Sequence, residues 1–181
     1  AYRLIRAEKS EKLAIGGLGL TLVGDVGKGA LAIFMARWLG VLGYNPATAL
    51  IIASLFVILG HSYPFCFKFK EGGRGIATLM GVLLALNEPL LPIWGGTVLL
   101  SIFVAQYLMT GKINWKSGSK LFSVIGDQVV GRVAGIAIAL VPLYFFDPDP
   151  KLFFPVLAAT ILVLVRHIQR VKGHIREWAN R

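Results

Sequence analysis

The chain has 181 residues, of which 56% are hydrophobic and only 15% charged, and its mean hydropathy is +0.70. Soluble domains carry about 25% charged residues, and a soluble globule of this composition would have to expose large apolar patches. A soluble enzyme, a disordered chain or a secreted disulfide scaffold is therefore disfavoured, and an all-α, polytopic integral membrane helix bundle is expected.

Residues 1–12 are charged and contain no apolar stretch, so they are not a signal peptide. The chain starts at Ala1, and a preceding N-terminal helix is expected. Apolar runs follow at 13–42, 47–67, 75–86, 90–110, 121–146 and 152–168. About 20 residues are needed to cross the hydrocarbon core. The first run exceeds that length and should tilt or extend into the interface. Asn87, Glu88, Pro89 and Pro92 interrupt the stretch 75–110, which is too long for one helix and so is split into a hairpin. No internal repeat is evident, so residues 1–181 form a single membrane-embedded domain with six crossings.

The connectors carry the orientation. Residues 1–12 are net +2, 43–46 neutral, 68–74 net +2, 87–89 net −1, 111–120 net +3, 147–151 net −1 and 166–181 net +4. This alternation follows the positive-inside rule and places both ends of the chain in the cytoplasm. The formal net charge of +10 is thereby assigned to loops facing anionic lipid, with no nucleic-acid partner. Cys66 is the single cysteine, so no intrachain disulfide forms.

Residues 60–78 (GHSYPFCFKFKEGGRGIAT) are the most informative stretch. Gly72, Gly73 and Gly75 permit backbone angles that let successive N–H groups converge on an anion. Arg74 adds a planar donor fork suited to phosphate. A helix then begins, and its N-terminus favours anions as well. His61 can donate to a phosphate or shuttle a proton. The plainer reading of the stretch is a tight turn between helices, with Lys70 and its neighbours as snorkelling charges.

Other polar residues have two readings each. Asp25 and Lys28 lie three apart on one helix face inside an apolar run, either as a site component or as a structural ion pair. Arg37, near the far end of that run, is expected to snorkel. Asp127 and Arg132 are expected to make structural pairings between helices. Arg6 and His167 share the predicted cytoplasmic side with His61 and Arg74, so several basic groups gather there around an anionic substrate. No metal-ligand spacing, catalytic triad, Walker loop or dinucleotide fingerprint is present.

Gly60-His61-Ser62-Tyr63-Pro64, followed by Phe69-Lys70-Glu71-Gly72-Gly73-Arg74-Gly75-Ile76-Ala77-Thr78, resembles the second motif of a known family. That family is the bacterial acyl-phosphate-dependent glycerol-3-phosphate acyltransferases of the PlsY type. Its motif runs Gly-His-x-(Phe/Tyr)-Pro and then Phe-Lys-Gly-Gly-Lys-Gly-Val-Ala-Thr. Asp25-x-x-Lys28-Gly29 is similar to the Asp-x-x-Lys-Gly element upstream, Arg166-His167 to the start of the third motif, and Ala1–Ala7 to the tail of the first. The chain differs where Tyr2-Arg3 replaces Thr-Asn, where Arg74 replaces the motif lysine, where Glu71 is inserted, and where Arg170 stands near the third motif's Asn.

The resemblance implies a seven-helix membrane fold in the bacterial cell (inner) membrane, with the motifs cytoplasmic. It implies acyl transfer from acyl phosphate to glycerol 3-phosphate, giving lysophosphatidic acid and phosphate in phospholipid synthesis. It further implies that neither acyl-CoA nor a metal or other cofactor takes part. Arg6, His61, Arg74 and His167 would then be catalytic, and Lys70, Gly72, Gly73, Gly75 and Arg170 would hold phosphate. Two other readings stay open, the first of them because of the altered first and third motifs. One is a catalytically impaired homologue that binds lipid phosphates or a membrane partner. The other, unsupported by any inverted repeat, is a transporter using Asp25, Lys28, Asp127 and Arg132.

Overall fold

The computed structural model describes residues 11–63, 73–111, 124–125 and 128–179, the side chains of 11–15, 18 and 168–179 excepted. Apart from the turns and connections these residues are helical, and none of them lies in a strand. The helices are α1 (Glu11–Val41), α2 (Pro46–Ser62), α3 (Ile76–Leu86), α4 (Leu90–Thr110), α5 (Val129–Ile138), α6 (Leu140–Phe146) and α7 (Pro150–Ala179). Segments Gly19–Val41, Leu90–Thr110, Val129–Phe146 and Pro150–His167 are long and apolar enough to cross a membrane. Between 17% and 33% of each is buried. Large side chains such as Leu108, Phe145 and Val23 are more than two-thirds exposed, at 76%, 80% and 71%. A surface this apolar fits a lipid surround and not water, and the protein is a helical membrane bundle.

Each helix has a local cause. Asn45 caps α2, its side chain accepting from the Thr48 N–H at 3.1 Å, and Pro46 follows at the first helical position. The hairpin between α3 and α4 breaks where expected: Asn87 is extended, and the Leu90 N–H closes the turn onto the Asn87 carbonyl at 2.9 Å. α4 ends on Gly111, which is left-handed at φ 67°.

The chain runs back and forth between two ends of the bundle. At one end Arg37 Nη2 donates to the Leu86 carbonyl at 2.8 Å, and Asn87 Nδ2 donates to Asp147 Oδ2 at 2.8 Å. This joins the turns after α1, α3 and α6. At the other end the last turn of α2 meets the first turn of α3 and the 163–167 stretch of α7.

Close helix approach depends on glycines. A Cβ at Gly29 would run into the Thr78 carbonyl oxygen, and a Cβ at Gly81 into the Val26 carbonyl oxygen, so α1 and α3 pack backbone against backbone. Gly131 and Gly135 of α5 do the same against α4, where a Cβ would lie 2.8 Å from the Cα atoms of Ile102 and Val98 respectively. α3 is the innermost helix, with Thr78, Leu79, Gly81, Val82, Leu83, Ala85 and Leu86 all buried.

Several expectations need correction. The second crossing stops at Ser62, short of residue 67, because Tyr63 leaves helical geometry. Within the run 121–146, residues 124–125 are helical, and α5 starts at Val129 and pauses at Ala139, which divides it from α6. The stretch 166–181 is not a loop, since α7 continues through it to Ala179. α3 has 11 residues and spans only about 16 Å, so it joins the two ends of the bundle but is too short to cross a full bilayer by itself. Arg37 does not simply snorkel; it satisfies the carbonyl of Leu86, a group that the end of α3 leaves free.

Candidate functional site

α2 and α3 are joined by the glycine-rich stretch, and its two flanks lie against one another. The Gly73 N–H donates to the His61 carbonyl at 3.0 Å, which folds the loop's exit back onto the end of α2. Gly73 cannot carry a side chain, because a Cβ would collide with His61 Nε2. The imidazole edge therefore lies directly over the Gly73 backbone. Gly75 is the N-cap of α3 with φ 77°, a left-handed conformation that glycine alone adopts without strain. It is buried, and a Cβ there would approach Ile58 at 3.1 Å and Val163 at 3.3 Å. No side chain caps the first turn of α3, so its leading N–H groups point at the loop without one. Arg74, between the two glycines, is exposed.

The ring of His61 is braced from α1. Its Nδ1 lies 3.4 Å from Asp25 Oδ1, and Lys28 Nζ lies 3.1 Å from the same oxygen. The Asp25 and His61 side chains are only 15% and 13% exposed, whereas Lys28 reaches out at 63%. Asp25 and Lys28 are therefore an ion pair, and the same carboxylate oxygen also faces His61. The geometry follows from chain reversal. His61 is 17 residues beyond Tyr44 and Asp25 is 19 before it, so an antiparallel hairpin turning at 43–45 sets them at one level. Counting outward from the Gly43-Tyr44-Asn45-Pro46 turn would have revealed this.

α7 closes the site from the other side. Arg166 Cζ stands 4.8 Å from the centre of the Tyr63 ring, a cation–π contact that links α7 to the end of α2. His167 is 2% exposed, and its Nδ1 is 2.7 Å from the Val163 carbonyl oxygen. The carbonyl can only accept, so Nδ1 carries the hydrogen and Nε2 is the remaining ring nitrogen. His167 Nε2 is buried without a partner among the described residues, as are Ser62 Oγ, Thr78 Oγ1 and Thr160 Oγ1. Ser62, Thr78 and Thr160 were not singled out by sequence reasoning, since single hydroxyls in apolar runs carry no distinctive pattern. Arg132 Nη2 donates to the Ile125 carbonyl at 2.7 Å.

The structure thus brings His61 together with Gly73, Asp25 and Lys28, keeps Arg74 and Gly75 beside them in the chain, and sets Arg166 against Tyr63, with His167 the next residue of α7 and buried. Arg6, Lys70, Gly72 and Asp127 lie outside the described residues, and Arg170 lies on α7 with its side chain outside them. Among the described residues no group of three His, Cys, Asp or Glu is placed to hold a metal. An apolar groove between α1 and α2, lined by Met35, Leu39, Tyr44 and Phe56 among others, runs toward the opposite end of the bundle and is not part of this site.

A family model described as glycerol-3-phosphate acyltransferase matches residues 14–177, which include the site residues named above other than Arg6. The chain belongs to the glycerol-3-phosphate acyltransferase family. It is 36% identical over 157 residues to a glycerol-3-phosphate acyltransferase of Pseudomonas paraeruginosa, covering 87% of this chain and 67% of the relative. The corresponding enzyme of Neisseria gonorrhoeae is 33% identical over 179 residues, covering 97% of this chain and 75% of the relative. That of Coxiella burnetii is 32% identical over 146 residues, covering 81% and 62%. The chain thus spans about two-thirds of the length of these curated relatives. No solved structure matches. Membership in this family gives the convergence of basic and glycine residues at one end of the bundle a chemical context.

Proposed function

We propose that this protein is a membrane acyltransferase that moves an acyl group from acyl phosphate to the 1-hydroxyl of glycerol 3-phosphate. The hydroxyl oxygen attacks the acyl carbonyl carbon, and the carbonyl–phosphate C–O bond breaks. Lysophosphatidic acid and inorganic phosphate leave, and the hydroxyl proton departs with the phosphate. The observation that carries this reading is the grouping of His61, the Gly73–Gly75 loop exit, Arg166 and His167 at the end of α2, in a chain of this family.

The site suits a donor that brings its own leaving group. An acyl phosphate needs no protein nucleophile, only anchors for two phosphates and stabilisation of charge in the transition state. Arg74 and the loop amides, joined by Arg6, Lys70, Gly72 and Arg170, provide phosphate anchors, and His61 and His167 line the reacting end. α2 is 17 residues long, or about 25 Å, slightly less than the hydrocarbon core is thick. The site therefore sits near the boundary where a lipid-soluble acyl donor meets a water-soluble phosphate ester. The net-positive connectors favour the cytoplasmic side of a bacterial inner membrane.

The test is the purified full-length protein in lipid, supplied with palmitoyl phosphate and labelled glycerol 3-phosphate, beside palmitoyl-CoA as an alternative donor. Lysophosphatidic acid is expected from the acyl phosphate alone. No product, under conditions where a relative is active, would reject the enzyme and leave a phosphate-binding homologue. Product from the CoA ester would reject the donor assignment.

A further inference from the structure

His61 touches two different things through its two ring nitrogens, and the two contacts have opposite characters. Nδ1 faces the Asp25 carboxylate at 3.4 Å, on a neighbouring helix and largely out of solvent. Nε2 faces the Gly73 backbone so closely that no side chain fits between them. Turning the ring over would put Cδ2 in place of Nδ1 at the carboxylate and Cε1 in place of Nε2 at Gly73, so only this orientation gives Asp25 a ring nitrogen to meet. A carboxylate accepts and does not donate, so it selects the ring form that carries hydrogen on Nδ1. Nε2 then keeps its lone pair at the loop.

The support for Asp25 is itself built in. Lys28 holds the same carboxylate oxygen at 3.1 Å, which keeps a mostly buried charge compensated. Gly29, one residue further, permits the contact with Thr78 that holds α1 against α3, and α3 begins immediately after the glycine loop. The helix that carries Asp25 is therefore fixed in register against the helix that carries the loop's exit.

On this geometry, and resting on the acyltransferase reading above, we propose that Asp25 is the positioning residue of the site. By engaging Nδ1 it leaves the lone pair on His61 Nε2, and that nitrogen accepts from an O–H of glycerol 3-phosphate when Gly73, against which it lies in the free site, is displaced by the substrate. That O–H belongs either to the attacking 1-hydroxyl or to a protonated phosphate oxygen. Contacts of this kind are commonly long in an unliganded site and shorten in the substrate complex. Among the described residues the other charge at this carboxylate is Lys28 of α1. It does not compete for Nδ1, because an ammonium cannot accept a hydrogen bond.

Nitrogen-15 spectra of the histidine side chains in the full-length protein, with His61 assigned through His61→Gln, test this without any assay. The expected resting form has hydrogen on Nδ1. Hydrogen on Nε2 alone in the wild-type protein would overturn the proposal. Asp25→Asn, which preserves shape, should disturb that form, and Asp25→Glu should restore it. Turnover of Asp25→Asn should fall about 10- to 100-fold, the scale typical of an outer residue that orients a histidine, with KM for glycerol 3-phosphate much less affected. Adding Asp25→Asn to His61→Gln should cost little more than His61→Gln alone. A loss of turnover with an unchanged His61 spectrum would show that Asp25 acts by another route, and would also overturn the proposal. Titration with inorganic phosphate and with glycerol 3-phosphate separates the two O–H sources. A shift of Nε2 with both identifies the phosphate oxygen, a shift with glycerol 3-phosphate alone identifies the hydroxyl, and a shift with neither rejects the acceptor role. If the wild-type protein lacks acyltransferase activity, the functional reading fails, while the spectra still decide the positioning of His61.

Discussion

Asn87 Nδ2 donates to Asp147 Oδ2 at 2.8 Å, across a sequence separation of 60 residues. The bond joins the α3–α4 turn to the turn before α7. These are the two connectors whose net negative charge assigned them to one side of the membrane from sequence alone. Arg37, reaching the Leu86 carbonyl, brings the end of α1 to the same place. Gly73 and Gly75, by contrast, lie at the end marked by His61 and Val163.

The first prediction concerns this sidedness. Single cysteines placed at Glu88 and Pro148, both exposed, should react together with a membrane-impermeant reagent, and a cysteine at Arg74 should behave oppositely. With the positive loops cytoplasmic, Glu88 and Pro148 should be labelled in intact cells, after Cys66→Ser removes the native thiol. Labelling of positions 74 and 88 from one side would contradict the bundle's polarity.

A second prediction follows from the backbone contact between α1 and α3. Gly29→Val and Gly81→Val each place atoms where a carbonyl oxygen of the facing helix lies. Neither obstacle is the movable end of a side chain, so the helices must separate. A loss at or above the roughly 1–3 kcal/mol typical of overpacked cores is expected for each, read as a lowered thermal midpoint in detergent. Gly24→Ala and Gly27→Ala, whose Cβ positions meet nothing, should leave the midpoint unchanged or raised.

These contacts mark the limit of what the sequence made legible. The hairpin at residues 86–90 was readable, because Asn87, Glu88 and Pro89 stop an apolar run that no single helix accommodates. The depth of Asp25 was not. The run 13–42 is longer than a bilayer is thick, so hydropathy alone leaves its vertical position open. Its pairing with α2 then sets Asp25 beside His61, at the end of the bundle. The burial of His167 was equally hidden, since α7 runs on through the charged stretch where a surface loop was expected. The glycine-loop flanks were legible because their chemistry is local: a loop exit, a cap and a helix start within a few residues.

The third prediction isolates a purely structural cation. Arg37→Leu removes the donor to the Leu86 carbonyl and leaves that group, at the buried end of α3, without its partner. The cost should be about 1–3 kcal/mol of stability. Activity per folded molecule should be retained, because Arg37 lies at the opposite end from His61. A selective loss of activity with unchanged stability would mean that Arg37 communicates with the site.

The fourth prediction concerns Gly73. Gly73→Ala requires the His61 ring to move, since the added Cβ collides with Nε2. Gly73 has no left-handed backbone angle, so the substitution carries no conformational penalty of its own. Any loss therefore reports on the imidazole. Activity should fall steeply in Gly73→Ala, and much less when the same change is made in His61→Gln. Equal fractional losses in the two backgrounds would show that the histidine contact is irrelevant.

The last prediction tests the phosphate-anchoring role of the loop. Arg74 is exposed between Gly73 and the N-cap of α3, where a helix N-terminus already favours an anion. Arg74→Ala should weaken binding of glycerol 3-phosphate by about 1.5–3 kcal/mol, the range for hydrogen bonds to charged groups, as measured by calorimetry on the full-length protein. The bundle should keep its thermal midpoint, because an exposed side chain contributes no core packing. Arg74→Lys restores the charge but not the planar fork, so it should recover part of the affinity if the contact is mainly electrostatic and little if it is bidentate. Raising the salt concentration should reduce the difference between wild type and Arg74→Ala, since an exposed charge contact is screened. If Arg74→Ala binds glycerol 3-phosphate as tightly as wild type, the loop exit is a turn that carries a charge, and the phosphate must be held elsewhere.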